Sequence, residues 1–293
     1  MILIFLTIVL SSYLTLAFKM LQRWKISSFQ AIVFNYLTCV VTGSLVNGAY
    51  PADAIRNGDV WLPWSILMGT MFIALFNLIA FVTRRLGVAI ASVSNKLSLV
   101  IPFLFSIVVH QDKAHWFHYA GIGLALLAVV LTCWPDDSSN SSTEKVSGWM
   151  LWLIPAGLFI GSGMLDTLIM HTERRFLDDG NKDDFLILAF HTAGTIGLLL
   201  LAILVLSKKE KPDIRALLAG IGIGIPNYFS IQTLMMALDR FTGQSTMVVP
   251  VVNIGIVLFS TVVAFYLFKE HLSRVNRIGI LLAVVSILLL SLR

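Results

Sequence analysis

Residues 89–109, AIASVSNKLSLVIPFLFSIVV, form an apolar run that carries Asn95, Lys96 and Pro102 in its interior. At ~1.5 Å per residue a helix of this length reaches about 31 Å, close to the ~30 Å hydrocarbon core of a bilayer. An ammonium at that depth costs roughly 2.5–3.5 kcal/mol on insertion scales. Lys96 is therefore expected to face a protein or water-filled interior and to meet a partner or a ligand there.

Composition extends this reading to the whole chain. Apolar residues make up 57% and charged residues 13%, where a soluble domain carries about 25% charge. The 293 residues, at roughly 20 per span with short connections, admit about ten helices and leave no room for a sizeable soluble domain. The net charge of +5 does not indicate nucleic acid, because the basic residues sit almost entirely at the ends of apolar runs, as membrane flanks do. Cys39 and Cys133 lie in apolar runs without metal-type spacing and read as small buried residues.

From the opening stretch outward, the other apolar runs cover about 2–18, 28–48, 61–83, 116–134, 148–170, 185–207, 215–238, 244–268 and 275–292. The first run has no basic residue before it and Lys19, Arg23 and Lys25 after it, the reverse of a cleavable signal peptide. The tryptophans, Trp24, Trp61, Trp64, Trp116, Trp134, Trp149 and Trp152, fall in or near run ends, as an interfacial aromatic belt requires. The polar, low-complexity stretch beginning at Pro135 reads as a linker over 135–147. It separates a first unit of five spans, 1–134, from a second, 148–293.

The two halves carry ordered matches. Asp112 precedes Gly121 by nine residues as Glu270 precedes Gly279, and the same offset of 158 sets Asn95 on Asn253. With a gap of two, Phe34-Asn35 falls on Phe190-His191, and Arg84 with Gly87 on Arg240 with Gly243. An odd number of spans per half makes the second copy inverted across the membrane, the construction that many secondary transporters use for two alternating gates. The expected fold is an all-α integral membrane protein of ten transmembrane helices in two inverted five-helix repeats.

These residues resemble the drug/metabolite transporter superfamily in its ten-helix, EamA-like branch. The resemblance rests on SNKLSLVIPFLFSIVVHQD followed by HYAGIGLALLAVVL, and on VVPVVNIGIVLFSTVVAFYLFKEHL followed by RIGILLAVVSILLL. In that family the fourth and ninth helices carry a proline and end in an acidic residue, with a glycine early in the next helix. Glu270 fits; the first half has Asp112 instead. The resemblance implies a central cavity lined by helices of both halves, transport of a small solute, and both termini in the cytoplasm.

Depth along the spans sorts the polar residues without that resemblance. Asn35, Asn77, Asn95 and Lys96 lie six or seven residues in from the side bearing loops 1-2, 3-4, 5-6, 7-8 and 9-10. Asp166, His191 and Gln232 lie five or six residues in from the other side. At ~1.5 Å per residue these form two polar layers, each roughly 8–10 Å below its surface. Lys96 and Asp166 then differ by about 17 Å in depth, too far for a direct ion pair in straight helices. Asn227, Tyr228 and Asn253 come nearer the middle. Gly220, Gly222, Gly224 and Pro226 form a G-I-G-I-G-I-P run that reads as close helix packing followed by a break rather than a phosphate loop. Pro102, Pro155 and Pro250 allow similar breaks or ordinary kinks.

The expected function is secondary active transport of a small polar or charged organic metabolite. Lys96 is the positive element for a carboxylate or phosphate, with Asn35, Asn77, Asn95, Asn227, Tyr228, Gln232 and Asn253 as binding partners. Asp166 and His191 are the elements for coupling to a proton, and an amino acid-like zwitterion could use both charges. Each asparagine has a plain alternative as interhelical glue, worth around 0.6 kcal/mol. His110, Asp112, His115 and His118 cluster at a loop but no second cluster supports a metal; no metal and no cofactor are expected. An intramembrane enzyme would need paired aspartates or HExxH, which the spans lack, and a channel would need a ring of like charges or a carbonyl filter. The expected partners are the solute and the lipid bilayer, not nucleic acid, with the chain a monomer or homodimer in a bacterial inner membrane. The loops 1-2 through 9-10 on the first side hold 13 lysines and arginines against seven on the other. By the positive-inside rule those loops are cytoplasmic and both termini lie outside, opposite to what the resemblance implies.

Overall fold

The computed structural model describes residues 2–109, 115–132, 149–178, 180–240, 245–269 and 272–292. Among them all regular structure is helical: α1 (Ile2–Arg23), α2 (Ser28–Asn47), α3 (Ala52–Asn57), α4 (Leu62–Leu86), α5 (Val88–Leu97), α6 (Val100–Val109), α7 (Trp116–Thr132), α8 (Met150–Phe176), α9 (Lys182–Leu206), α10 (Ile214–Arg240), α11 (Ser245–Phe268) and α12 (Arg274–Ser291). Seven described segments are long and apolar enough to cross a membrane: α1, α2, α4, Val88–Phe105, and the apolar parts of α8, α9 and α10. α7 and Val252–Phe268 are apolar but shorter. α12 opens with Arg274, Asn276 and Arg277, so its charged first turn consumes length that the apolar run would need. The linker over 135–147, with Cys133, His110, Asp112 and Glu270, lies outside the described residues.

The run that opened the sequence is not one helix. α5 ends at Leu97, Ser98 and Leu99 form a turn, and α6 begins at Val100. Pro102 explains the position, because it has no N–H to offer the carbonyl of Ser98, four residues back. That carbonyl accepts instead from the Ile101 N–H at 2.9 Å. The Ser98 hydroxyl donates to the Asn95 carbonyl, satisfying one of the acceptors that the end of α5 exposes. Pro155 and Pro226, by contrast, lie inside the continuous helices α8 and α10.

The chain folds into two compact units. Unit 1 comprises Met1–Lys19, Leu78–Met164 and Ser230–Arg293; unit 2 comprises Met20–Asn77 and Leu165–Phe229. Each therefore draws on both halves of the sequence.

In unit 1 the core is built from Ala89, Val93 and Leu97 of α5, Ala125 and Ala128 of α7, Val257 of α11, and Ile280, Ala283 and Ile287 of α12. α7 and α12 approach closely because Gly279 has no side chain: a Cβ there would stand 2.6 Å from the Thr132 nitrogen and 3.0 Å from the Ala128 oxygen. Polar groups fasten the same pair. Ser286 donates to the Gly121 carbonyl at 2.8 Å. Ser273 caps α12 in a reciprocal capping box with Asn276. The amide of Asn276 also donates to the carbonyls of Leu131 and Thr132, at 3.2 and 2.9 Å. One buried side chain thus serves the start of α12 and the end of α7. Asn276→Ala is expected to destabilise the protein by about 2 kcal/mol, since it strips a cap and orphans two acceptors. The midpoint of unfolding in detergent, compared with that of Asn276→Asp, checks this.

Unit 2 centres on α2. Tyr36 is fully buried, donates to the Phe72 carbonyl at 2.8 Å, and sits among the rings of Phe72, Phe76 and Phe190. At one end of the unit the buried Gln30 amide donates to Glu210 and to the Lys211 carbonyl, and its oxygen accepts from the Asp213 N–H. At the other end Asn47 donates to Asp184 at 2.9 Å. The connection between α1 and α2 is thereby tied to that between α9 and α10, and the end of α2 to the start of α9.

Candidate functional site

Polar side chains enter both units by different routes. In unit 1 the break at Ser98–Leu99 puts Lys96 in the last turn of a ten-residue half-helix. The last carbonyls of α5 have no further turn to bond, and their partial negative charge favours a cation at that end. This is a physical reason for a lysine to be tolerated there. Lys96 and Asn95 are both half-buried.

One turn earlier on α5, the Ser92 hydroxyl receives a hydrogen bond from Ser260 of α11 at 2.9 Å. The two helices run antiparallel, so seven residues onward from Ser92 and seven back from Ser260 brings the broken turn level with Asn253. Asn253 is buried, at 8% exposure. Asn95, Lys96 and Asn253 thus share a depth in unit 1. Gln232 is half-buried beside Thr233, whose hydroxyl accepts from Thr7 of α1 at 2.9 Å. Nothing in the sequence singles out Ser92, Ser260, Thr7 or Thr233. Serine and threonine in an apolar helix usually bond their own carbonyls, so their type alone carries no signal.

In unit 2 the predicted residues Asn35 and Asn227 meet directly: the Asn227 amide donates to the Asn35 oxygen at 3.1 Å. Cys39, one turn along α2, donates its thiol to the Gly224 carbonyl at 3.3 Å and lies 3.5 Å from the Asn227 amide nitrogen. The contact is possible because Gly220 and Gly224 turn toward α2. A Cβ on Gly224 would lie 2.6 Å from the Asn35 oxygen, and one on Gly220 would lie 2.9 Å from the Ala31 oxygen. The Asn35 amide nitrogen and the Tyr228 hydroxyl are fully buried and have no hydrogen-bond partner among the described residues.

The other predicted residues of unit 2 stand apart from this cluster. Asn77 is half-buried and donates to the Ile73 carbonyl of its own helix at 2.7 Å. Asp166 and His191 are exposed, and the His191 ring faces that of Tyr50 at 5.6 Å. The sites named from sequence therefore form two sets. Lys96, Asn95, Asn253 and Gln232 belong to unit 1; Asn35, Asn227, Tyr228, Asn77, Asp166 and His191 belong to unit 2.

The first set offers one cation with amide donors and acceptors, suited to a carboxylate or phosphate. The second offers neutral amides, a thiol and a phenol, suited to hydrogen bonding. Among the described residues no three His, Cys, Asp or Glu side chains converge as a metal site would require. His118 is held structurally: its Nδ1 accepts from the His115 N–H at 2.9 Å, so Nε2 carries the proton toward the Leu292 carbonyl at 2.8 Å.

Comparison with known proteins agrees with this architecture. The model of the EamA-like transporter family matches residues 175–292. A protein of Haemophilus influenzae, described as uncharacterized, is 24% identical over 277 residues, covering 92% of this chain and 90% of its own. A solved crystal structure superposes with a TM-score of 0.62 at 16% identity, over 98% of this chain and 94% of that one. At that identity the structural match speaks for the fold alone.

Proposed function

The chain carries an EamA-like transporter domain of the drug/metabolite transporter superfamily, and from that premise we propose that it is a secondary active transporter of a small polar or charged organic metabolite. The observation that carries the reading is the interruption of a membrane-spanning run at Ser98–Leu99, with Lys96 beside it. The break falls ten residues into the run, about 15 Å along it and near mid-membrane. Non-helical backbone at that depth is tolerated where it is buried in protein or lines a cavity, and discontinuous helices are how secondary transporters build central sites.

In this mechanism Lys96 meets the anionic group of the solute, with Asn95 and Asn253 at its level as hydrogen-bond partners. Asn35, Asn77, Asn227, Tyr228 and Gln232 complete the binding groups. Alternating access follows from ten helices in two inverted repeats, 1–134 and 148–293, joined by 135–147. The ties at opposite ends of α2, Gln30 to Glu210 and Asn47 to Asp184, support the alternation of loops that ten spans require. Asp166 and His191, both solvent-reached, are the coupling pair, and an amino acid-like zwitterion suits the two charges. The chain works in a bacterial inner membrane as a monomer or homodimer.

The test starts with a thermal-shift screen of amino acids, sugar phosphates and amines on purified protein. The best stabiliser is then labelled for counterflow in proteoliposomes. A carrier is accelerated by unlabelled solute on the far side; a channel is not, and absence of that acceleration would sink the reading. For coupling, a pH gradient is expected to drive uptake several-fold in the wild type and not in Asp166→Asn. Equal response of both proteins to the gradient removes Asp166 from that role. Orientation rests on the excess of basic residues in the loops 1-2 through 9-10, which favours both termini outside. Tags at each terminus, probed in intact cells, decide between this and the family's arrangement.

A further inference from the structure

Two grooves open on the described surface, each at a helix end flanked by the more basic set of loops. The first, of about 570 Å³ in unit 2, is lined by Trp24, Ile26, Leu218 and Arg215. Its arginine is already answered, because Arg215 donates from Nε and Nη2 to the Asp213 carboxylate, at 3.2 and 2.9 Å to Oδ2. The second, of about 440 Å³ in unit 1, runs between the end of α11 and the start of α12. Its walls are Val262, Phe265, Tyr266, Ile280 and Leu281, and Arg277 stands at its mouth. Tyr266 and Leu281 are 77% and 64% exposed. Arg277 is exposed, with no carboxylate partner among the described residues.

We propose that this second groove is a binding site for one anionic phospholipid, its phosphate held by Arg277 and an acyl chain lying against Phe265, Ile280 and Leu281. The order of the residues along the helices matches the order of groups in a lipid. Arg277 is in the first turn of α12, at the membrane edge, and Ile280 and Leu281 follow one turn deeper, about 5 Å toward the hydrocarbon. The guanidinium fork matches two phosphate oxygens at once, and it sheds water more readily than an ammonium. The Tyr266 ring, apolar along its body and polar at its tip, suits the headgroup boundary. Arg274, exposed one turn nearer the edge, adds a second positive charge. Charge complementarity therefore selects an anionic lipid over a zwitterionic one, whose phosphate is cancelled by its own cation. The first groove has similar apolar walls and a neutralised arginine, so it serves as an internal control.

The experiment uses the full chain purified in mild detergent, with phosphatidylglycerol or phosphatidylcholine added, read by thermal unfolding and by native mass spectrometry. Phosphatidylglycerol is expected to raise the midpoint more than phosphatidylcholine and to give a resolved adduct of one lipid. Arg277→Gln should weaken phosphatidylglycerol binding about fivefold, the value of one basic residue near a charged headgroup. Arg277→Lys should keep part of the preference, and Arg215→Gln all of it. Equal effects of the two lipids overturn the proposal, as does a preference that survives in Arg277→Gln. Disulfide crosslinking between copies of Tyr266→Cys in native membranes also overturns it, by assigning the groove to a second chain.

Discussion

Gly224→Leu is expected to lower the unfolding midpoint in detergent further than any other single substitution in unit 2, with a loss of about 3 kcal/mol or more. The cause is the separation of α2 and α10. Even an added Cβ would stand 2.5 Å from the Thr38 Cβ and 2.6 Å from the Asn35 oxygen. The second of those atoms is backbone, so no side-chain rotation relieves the clash. The helices must part, and overpacking of this kind costs roughly 1–3 kcal/mol before anything else is lost. Parting also breaks the Cys39–Gly224 and Asn35–Asn227 hydrogen bonds, which lie on the same contact. Lipid supplies no water to replace them, so each buried group left open adds about 1–3 kcal/mol. Gly224→Ala should show the same sign with a smaller loss. Gly157→Ala in α8 is the control: its Cβ would meet nothing within 4 Å, so the change should be neutral or slightly stabilising through helix propensity. A Gly224→Leu protein that melts with the wild type would mean that α2 and α10 do not pack in this register.

The glycine run shows how much of the structure is written locally. That small residues at 220 and 224 mark a close helix approach followed from their spacing and the apolar filling. That α2 is the partner, at Ala31, Phe34, Asn35 and Thr38, did not, because it depends on a register set by side chains nearly two hundred positions away in the chain. The break near Lys96 was legible in outline from Pro102, since a missing N–H acts within four residues. Its location at Ser98–Leu99, and the level it shares with Asn253, emerged only with the Ser92–Ser260 pairing. Depth counting set Asn35 and Asn227 in different layers, yet they share a hydrogen bond. Counting assumes helices perpendicular to the membrane, and tilted helices exchange depth for lateral contact. Membership of the chain in a membrane was readable from composition because the bilayer acts on every residue alike. Which polar groups meet is a property of pairs, and one sequence does not print pairs.

Lys96→Met should separate transport from stability, which makes it the most discriminating substitution in the chain. If Lys96 holds the anionic group of the solute, its removal leaves that group desolvated without a counter-charge. Losing one partner of such a pair costs about 2–5 kcal/mol, or at least a thirtyfold loss of affinity. Methionine keeps the length and apolar stem of the lysine, so packing along α5 changes little. The empty protein, freed of a cation that insertion scales penalise by roughly 2.5–3.5 kcal/mol, should unfold at the same temperature or higher. Lys96→Arg should retain the charge at the end of α5 and lose less transport. Asn95→Ala should cost about 1 kcal/mol in solute binding, a fivefold effect, because a neutral hydrogen bond is weaker than an ionic one. A scaffold role gives the opposite pattern: Lys96→Met would then melt lower and transport normally once folded. Proteoliposome uptake and unfolding midpoints, measured on the same preparations, distinguish the two. A protein that is as stable as the wild type and silent in transport identifies the interrupted helix as the centre of the site, because a structural lysine cannot be removed without a structural cost.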